Sequence, residues 1–390
     1  MIFKSSYPNS PDVSVVLSGV SVDYTTIQSV SIETNENMHD IATITFSGFL
    51  TKGITDYVGV PVYISIGVSN TRFISFYGYV SFIEPVMETR KGLINNSPVQ
   101  TAIATCMSAS YDMSNTKNKI WQKVTLNNLV QSIASTYNYS YSIPIDNYVF
   151  NSLLQNKMSD WDLLKKACTS IGYCMTTSGT HIHVYDPYKA ISRQLPYVEL
   201  LTVRGALGSM AYRPGNIMEF RGLFGDVTLD GPVSNYNFVS VDSSGTVLTS
   251  NSDDTNFTKL GEAVERKYTQ EVATNVNSIE ELNKYAEAST KTNYPYNATA
   301  VVTGVPDPVP GSVVKIDNYD SYFDGYWLVR GAKHIVTRSN YLTELTISTD
   351  SNNGATPIKQ PGSAYKLPPE PRLSGNYWLS STEFADVYAN

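Results

Sequence analysis

Short runs of β-branched and aromatic residues, separated by Gly, Asn, Pro and Asp, fill the first 106 positions. The runs 13–17, 27–33, 41–48, 62–67, 73–83 and 99–106 each predict a strand. In 62–67, Val62, Ile64 and Ile66 fall on one side of the pleat while Tyr63 and Ser65 fall on the other, the period-2 pattern of a half-buried strand. Several strands at this spacing point to a sandwich or a barrel.

The period then lengthens. Leu126, Leu129, Val130, Ile133 and Ala134 recur at i, i+3, i+4, i+7 and i+8, which predicts a helix over 125–137. A second helix is predicted over 159–171. Ser159 stands at its N-cap with Asp162 three residues on, Leu164, Ala167, Cys168 and Ile171 share a face, and Gly172 supplies the stop. A hairpin follows, 173–177 and 181–185, turned at Ser178–Gly179. Positions 107–190 thus read as a small α/β unit.

From Tyr197 strand signals return, at 216–220 and 238–241. The stretch 241–256 is rich in Ser, Asp and Thr and reads as an exposed loop. A third helix is predicted to start at Ser278, capped reciprocally by Glu281, with Ile279, Leu282, Tyr285 and Ala286 on one face. Strands at 298–304, 312–316, 326–334 and 341–348 close the unit 191–350. Positions 351–390 differ in kind. Pro357, Pro361, Pro368, Pro369 and Pro371 exclude helix or sheet interiors, so this stretch reads as an extended arm. Its final residues include Tyr377, Trp378, Phe384 and Tyr388, rings whose exposure is unfavourable unless they dock on a partner.

Composition sharpens this picture. Only 16% of the 390 residues are charged while 28 are tyrosine, so Tyr, Ser, Thr and Asn must build much of the surface, as suits pleated surfaces and protein contacts. The expected class is α+β, mostly β. The formal net charge is −7, and no Lys/Arg run exceeds a pair, which argues against tight binding to a phosphate backbone. The first nine residues lack a basic stretch followed by an apolar run, and no apolar stretch approaches a membrane span. A soluble protein made in a cytoplasm is expected.

Candidate chemistry is sparse. Cys106, Cys168 and Cys174 match neither a disulfide framework nor a zinc spacing and read as small core residues. There is no Gly-Lys dipeptide for a P-loop and no His-Glu dipeptide for a helical zinc-protease motif. Of the four histidines, His39, His181, His183 and His334, the pair His181 and His183 shares a strand face. Two imidazoles there either begin a metal site that needs a third ligand from elsewhere or are ordinary interface residues. Asp160 and Asp162 evoke paired glycosidase acids, but at a helix start the helix dipole and capping account for them. No catalytic, cofactor-binding or metal-binding residue is assigned.

The order of elements carries more information than any motif. SDWDLLKKACTSIGYCMTTSGTHIHVYDP (159–187), SIEELNKYAEAST (278–290), VPDPVPGSVVKID (305–317) and GYWLVRGAKHIVTRSNYLTELTIST (325–349) follow one another in the arrangement of a helix with hairpin, a helix, and a closing β unit, with Pro310–Gly311 as a turn and His334 after the middle strand. This succession resembles the phage baseplate hub family, most closely the hub of Mu-like contractile phages, and also the hub part of VgrG spikes and the late control protein D family. The resemblance covers about 340 residues and leaves the Pro-rich arm unmatched.

The resemblance implies two tube-like β-barrel domains, 1–106 and 191–350, flanking the α/β domain 107–190 and followed by the arm 351–390. It also implies a homotrimer whose six barrels ring a channel, matching a sixfold tail tube on one side and a threefold central spike on the other. DNA would pass without specific binding, which an acidic wall suits. The expected role is structural, in the tail baseplate of a virion assembled in a bacterial cytoplasm, with tube, spike and other baseplate proteins as partners and with no cofactor and no enzymatic activity. The arm, through Tyr377, Trp378, Phe384 and Tyr388, is expected to fasten the hub to the spike or to a neighbouring baseplate protein. Two other readings are a carbohydrate-binding receptor protein, suited by aromatic-rich strands, and a cell-wall hydrolase, which would require a further catalytic domain.

Overall fold

The computed structural model describes residues 11–47, 54–69, 72–88, 99–144, 148–187, 190, 197–201, 217–223, 235–241, 245–253, 267–271, 279–280, 282–283, 296–317 and 323–349. The protein is mostly β, as its composition suggests.

The first unit comprises β1 (Asp12–Leu17), β2 (Val20–Ser21), β3 (Ile27–Asn35), β4 (Ile41–Ser47), β5 (Pro61–Ser69), β6 (Arg72–Glu88) and β7 (Val99–Ser108). All neighbours are antiparallel, in the order β3-β4-β7-β6-β5-β1-β2. Alternation sets the inner face: Val62, Ile64 and Ile66 are buried while Tyr63 points outward. The sheet curls around one core that includes Val15, Ile32, Ile44, Phe46, Phe76 and Cys106, each buried apolar side chain of this size contributing about 1.5–3 kcal/mol.

The middle unit contains β8 (Thr116–Thr125), α1 (Leu126–Thr136), β9 (Ser140–Ser142), β10 (Val149–Ser159), α2 (Asp160–Ser170), β11 (Cys174–Ser178) and β12 (His181–Tyr185). Both helices form where the 3.6-residue period predicts them. Thr125 Oγ1 caps α1 by accepting from Asn128 N at 3.1 Å, and Ser159 Oγ caps α2 by accepting from Asp162 N at 3.0 Å. The start of α2 departs from a reciprocal box, because the Ser159 hydroxyl donates to the Asp162 carboxylate at 2.6 Å. Each helix ends in a pair of back-bonds donated by a left-handed residue and the residue after it: Asn138 N to Ser135 O and Tyr139 N to Ala134 O after α1, Gly172 N to Thr169 O and Tyr173 N to Cys168 O after α2. The hairpin β11–β12 turns at Gly179–Thr180, one residue later than expected, since Ser178 pairs with His181. The long antiparallel pair β8–β10 was not legible in the sequence.

The third unit comprises β13 (Tyr197–Leu201), β14 (Ile217–Leu223), β15 (Asn235–Val241), β16 (Val247–Asp253), β17 (Lys267–Glu271), β18 (Tyr296–Thr303), β19 (Val313–Asp317), β20 (Gly325–Thr337) and β21 (Tyr341–Thr349). β14-β18-β21-β20 run antiparallel, β19 pairs with the first half of β20, and β13 pairs parallel with β19. Their core includes Val302, Ile316, Trp327, Val329 and Ile347. The expected loop over 241–256 is a correction: 247–253 is a strand, paired from Val241↔Val247 to Asn235↔Asp253. Thr249 is exposed but Ser250 is buried, so a polar composition masked a β-ladder. Of the predicted third helix, Ile279, Glu280, Leu282 and Asn283 are helical, with Leu282 buried but Ile279 exposed. Its capping residues Ser278 and Glu281 lie outside the described residues, as does the whole arm with Tyr377, Trp378, Phe384 and Tyr388.

The first and third units are not separate sheets. The second half of β20 pairs with β3, from Gly331↔Asn35 to Thr337↔Ser29, which makes one 13-stranded sheet of both. β20 also runs three residues beyond His334, where the sequence suggested an end.

Close backbone approach limits what the sheet accepts. A Cβ at Gly78 on β6 would lie 2.0 Å from the Met107 carbonyl oxygen of β7, and backbone cannot yield as a side-chain tip can. Gly78→Ala is therefore expected to cost about 3 kcal/mol or more and to lower the thermal unfolding midpoint by circular dichroism; an unchanged midpoint would contradict this packing.

Candidate functional site at the β3–β4 hairpin tip

Residues 36–40 connect β3 to β4, and four of these five reach into other units. Asn37 adopts the left-handed conformation, φ 58°, which an asparagine tolerates better than most residues. Its backbone N donates to Met175 O at 2.8 Å, and its Oδ1 accepts from Met175 N at 3.0 Å. The tip is thereby stitched to β11 like a further strand end.

Glu36 is the electrostatic centre. Both carboxylate oxygens accept from Arg330 Nη1 at 2.7 Å, Oε2 also accepts from the Tyr185 hydroxyl at 2.8 Å, and Glu36 N donates to Arg330 O at 2.9 Å. Arg330 Nε donates to Ser348 Oγ at 2.8 Å. One carboxylate thus joins β20, β12 and the β3–β4 tip. The side chains of Arg330 and Glu36 are only 17% and 15% exposed. Burial works against the Arg330 charge, but Glu36 more than offsets it and raises the guanidinium pKa further. Burial, with Glu36 alongside, pushes the Tyr185 phenol and the Cys174 thiol up.

The backbone explains why Arg330 is available. Val329 pairs with Ile347 and Gly331 with Thr346, so Arg330 is an extra residue in a bulge against β21. At this bulge β20 exchanges β19 for β3 as its neighbour. A Cβ at Gly331 would stand 2.2 Å from Asn35 Oδ1, a side-chain tip that can swing aside, and 3.6 Å from the Thr34 carbonyl oxygen of β3.

His39 stacks on Trp161 of α2 with centroids 4.2 Å apart and meets Tyr111 edge-on at 5.6 Å. Its Nδ1 lies 2.8 Å from Ser110 Oγ, and burial lowers its pKa. Asp40 is fully buried. Thr177 Oγ1 donates to its Oδ2 at 3.4 Å, and its Oδ1 has no partner among the described residues. Burial raises its pKa well above the ordinary carboxylate value, with the Thr177 hydrogen bond opposing weakly.

The residues singled out in the sequence sit elsewhere. His181 and His183 do share a face, but serines engage them: Ser140 Oγ lies 2.8 Å from His181 Nδ1, and Ser142 Oγ lies 3.0 Å from His181 Nε2 and 2.6 Å from His183 Nδ1. Burial, with His181 adding to it, lowers the His183 pKa to about 3. No cluster of three or more metal-ligating side chains occurs among the described residues. Asp160 accepts from Lys117 Nζ, from the Tyr137 hydroxyl at 2.8 Å and from Gln155 Nε2 at 2.8 Å. Burial alone would raise its pKa, but these three donors lower it, which holds it as an anion unsuited to donating a proton. The three cysteines are free and buried. His334 is buried in β20, with Nδ1 3.1 Å from the Tyr341 hydroxyl, and burial lowers its pKa to about 4. Sequence reasoning passed over Glu36, Asn37, Asp40 and Arg330.

Asp40 yields a pH prediction. The unfolded carboxyl titrates near about 4, whereas the folded one titrates higher. Its contribution to stability is complete below the unfolded value and is lost as pH rises through the folded value. Asp40→Asn removes that loss, so the variant is expected to gain about 1–3 kcal/mol over the parent at pH 8 but not at pH 4, read as paired thermal midpoints. A variant less stable at pH 8 would contradict the buried neutral acid.

No protein-family model matches the sequence, and no curated protein matches it. Solved structures do share its fold. A tail protein from Neisseria meningitidis MC58 superposes with a TM-score of 0.66 at 14% identity, over 88% of this chain and 98% of that one. The 43 kDa tail protein of prophage MuSo2 from Shewanella oneidensis gives 0.63 at 13%, over 87% and 99%. An E. coli component of the type VI secretion system, described as structurally similar to the T4 bacteriophage tail proteins gp27 and gp5, gives 0.54 at 9%, over 88% and 80%.

Proposed function

We propose that this chain, which has the fold of phage-type tail proteins, is a structural component of a tail baseplate and serves as its hub. The observation that carries the proposal is the superposition along nearly the whole length of the Neisseria tail protein. In this reading 1–106 and 191–350 are two tube-like barrel domains, and three chains close a ring of six. The ring adapts a sixfold tube to a threefold spike and leaves a channel for DNA. Its localisation is the virion tail.

Three features support the role. The first and third units are continuous through β3 and β20, which lets a ring transmit load without hinging between them. Ile41, Tyr63, Phe73 and Phe82 on β4, β5 and β6 are exposed, offering apolar contact area on the outside of the first sheet. The formal net charge of −7 disfavours retention of a polyanion in a channel. The function is binding, with no bond made or broken. The carboxylates and histidines that evoke catalysis are engaged in capping, ion pairing and serine contacts.

Light scattering of the purified protein, with negative-stain microscopy, tests the ring. The expected result is a mass roughly three times 43.1 kDa and particles with a central hole. A monomer that binds host polysaccharide would overturn the hub in favour of a receptor role.

A further inference from the structure

The β8–β10 ribbon stands apart from the large sheet. It has two strands, and neither outer edge carries another strand among the described residues. Its inner face is anchored: Trp121 and Leu153 pack on the α/β core, Trp121 Nε1 donates to Gln155 Oε1 at 3.3 Å, and Lys117 holds Asp160 at the start of α2. Its outer face carries the cross-strand pair Ile120 and Leu154, 61% and 47% exposed. Lys119, which lies over the Trp121 ring at 3.3 Å, is joined on the ribbon by Lys123 and Lys157. Neither 116–125 nor 149–159 contains an acidic residue. An exposed ribbon with open edges, an apolar centre and only positive charge is a template for an extended segment that is apolar and acidic.

The chain contains such a segment. After Arg372 there is no Lys or Arg, while Glu383 and Asp386 alternate with Phe384, Val387 and Tyr388, and Tyr377 and Trp378 precede them. Residues 350–372, rich in proline, would reach about 70 Å at most if fully extended at the roughly 3.1 Å per residue of a Pro-rich chain. That reach is ample for a domain of this size, and tethering raises the local concentration of the segment at the ribbon. We propose that residues 373–388 dock on the β8–β10 ribbon of their own chain, aromatic rings against Ile120 and Leu154 and acids toward Lys119, Lys123 and Lys157. This docking is internal to the chain and stands independently of the hub reading.

Photo-crosslinking of the full-length protein tests it. With p-benzoylphenylalanine in place of Leu154, irradiation is expected to give a product of single-chain mass whose peptide map joins position 154 to 373–390. The same probe in place of Phe82, exposed on the first sheet, serves as the comparison and is expected not to give that link. Glu383→Lys with Asp386→Lys should abolish the adduct, and adding Lys119→Glu with Lys123→Glu should restore it, with circular dichroism confirming that each variant is folded. An adduct to another segment, to a second chain, or to a tube or spike protein in assembled particles would overturn the proposal. So would an adduct indifferent to charge reversal.

Discussion

The architecture turns on one largely buried ion pair, Arg330 with Glu36, between residues 294 positions apart in the chain. At Arg330 the strand β20 bulges and changes partners, from β19 on one side of the bulge to β3 on the other. An extra residue in a ladder directs its side chain out of register, and here that side chain is a cation aimed at the hairpin tip. The pair does not stabilise merely by attraction, since taking both charges out of water offsets much of the Coulomb energy. Its value lies in specificity. With Glu36 also bound by Tyr185, a misplaced tip would leave a buried charge unpaired, at a cost of about 3–5 kcal/mol.

The rest of the tip extends this logic. Asn37 supplies backbone stitching to β11, His39 stacks on α2, and Asp40 is buried beside Thr177. These contacts tie the α/β unit to the continuous sheet, so the three cores sit around one short loop. Outward aromatic residues and the β8–β10 ribbon are then carried on a fixed frame.

Local signals in the sequence translated well. The cap residue Ser159, the stop at Gly172 and the alternation of Val62, Ile64 and Ile66 are short-range effects, decided by neighbours within four residues. Two kinds of feature escaped. Strands with mixed polarity, β8, β10 and β16, expose one face and carry Lys, Ser and Asn where alternation would require apolar residues, so pairing in three dimensions, not pattern, makes them strands. The seam between β3 and β20 and the ion pair beside it depend on residues nearly 300 positions apart, and nothing near Glu36 or Arg330 announces the other. Candidate chemistry was legible mainly as residue types: His181 and His183 do share a face, but only the structure reveals that Ser140 and Ser142 occupy them.

The two β units are joined along β3 and β20 into one continuous sheet. Hydrogen exchange with peptide-level mass spectrometry tests this joining most directly, because local opening reports the stability of each joint separately. Peptides covering Ile27–Asn35 and Gly325–Thr337 are expected to exchange as slowly as the core strands β4 and β7 and in the same cooperative step. Rapid exchange along the seam while both cores stay protected would contradict it, and would describe two units that merely touch.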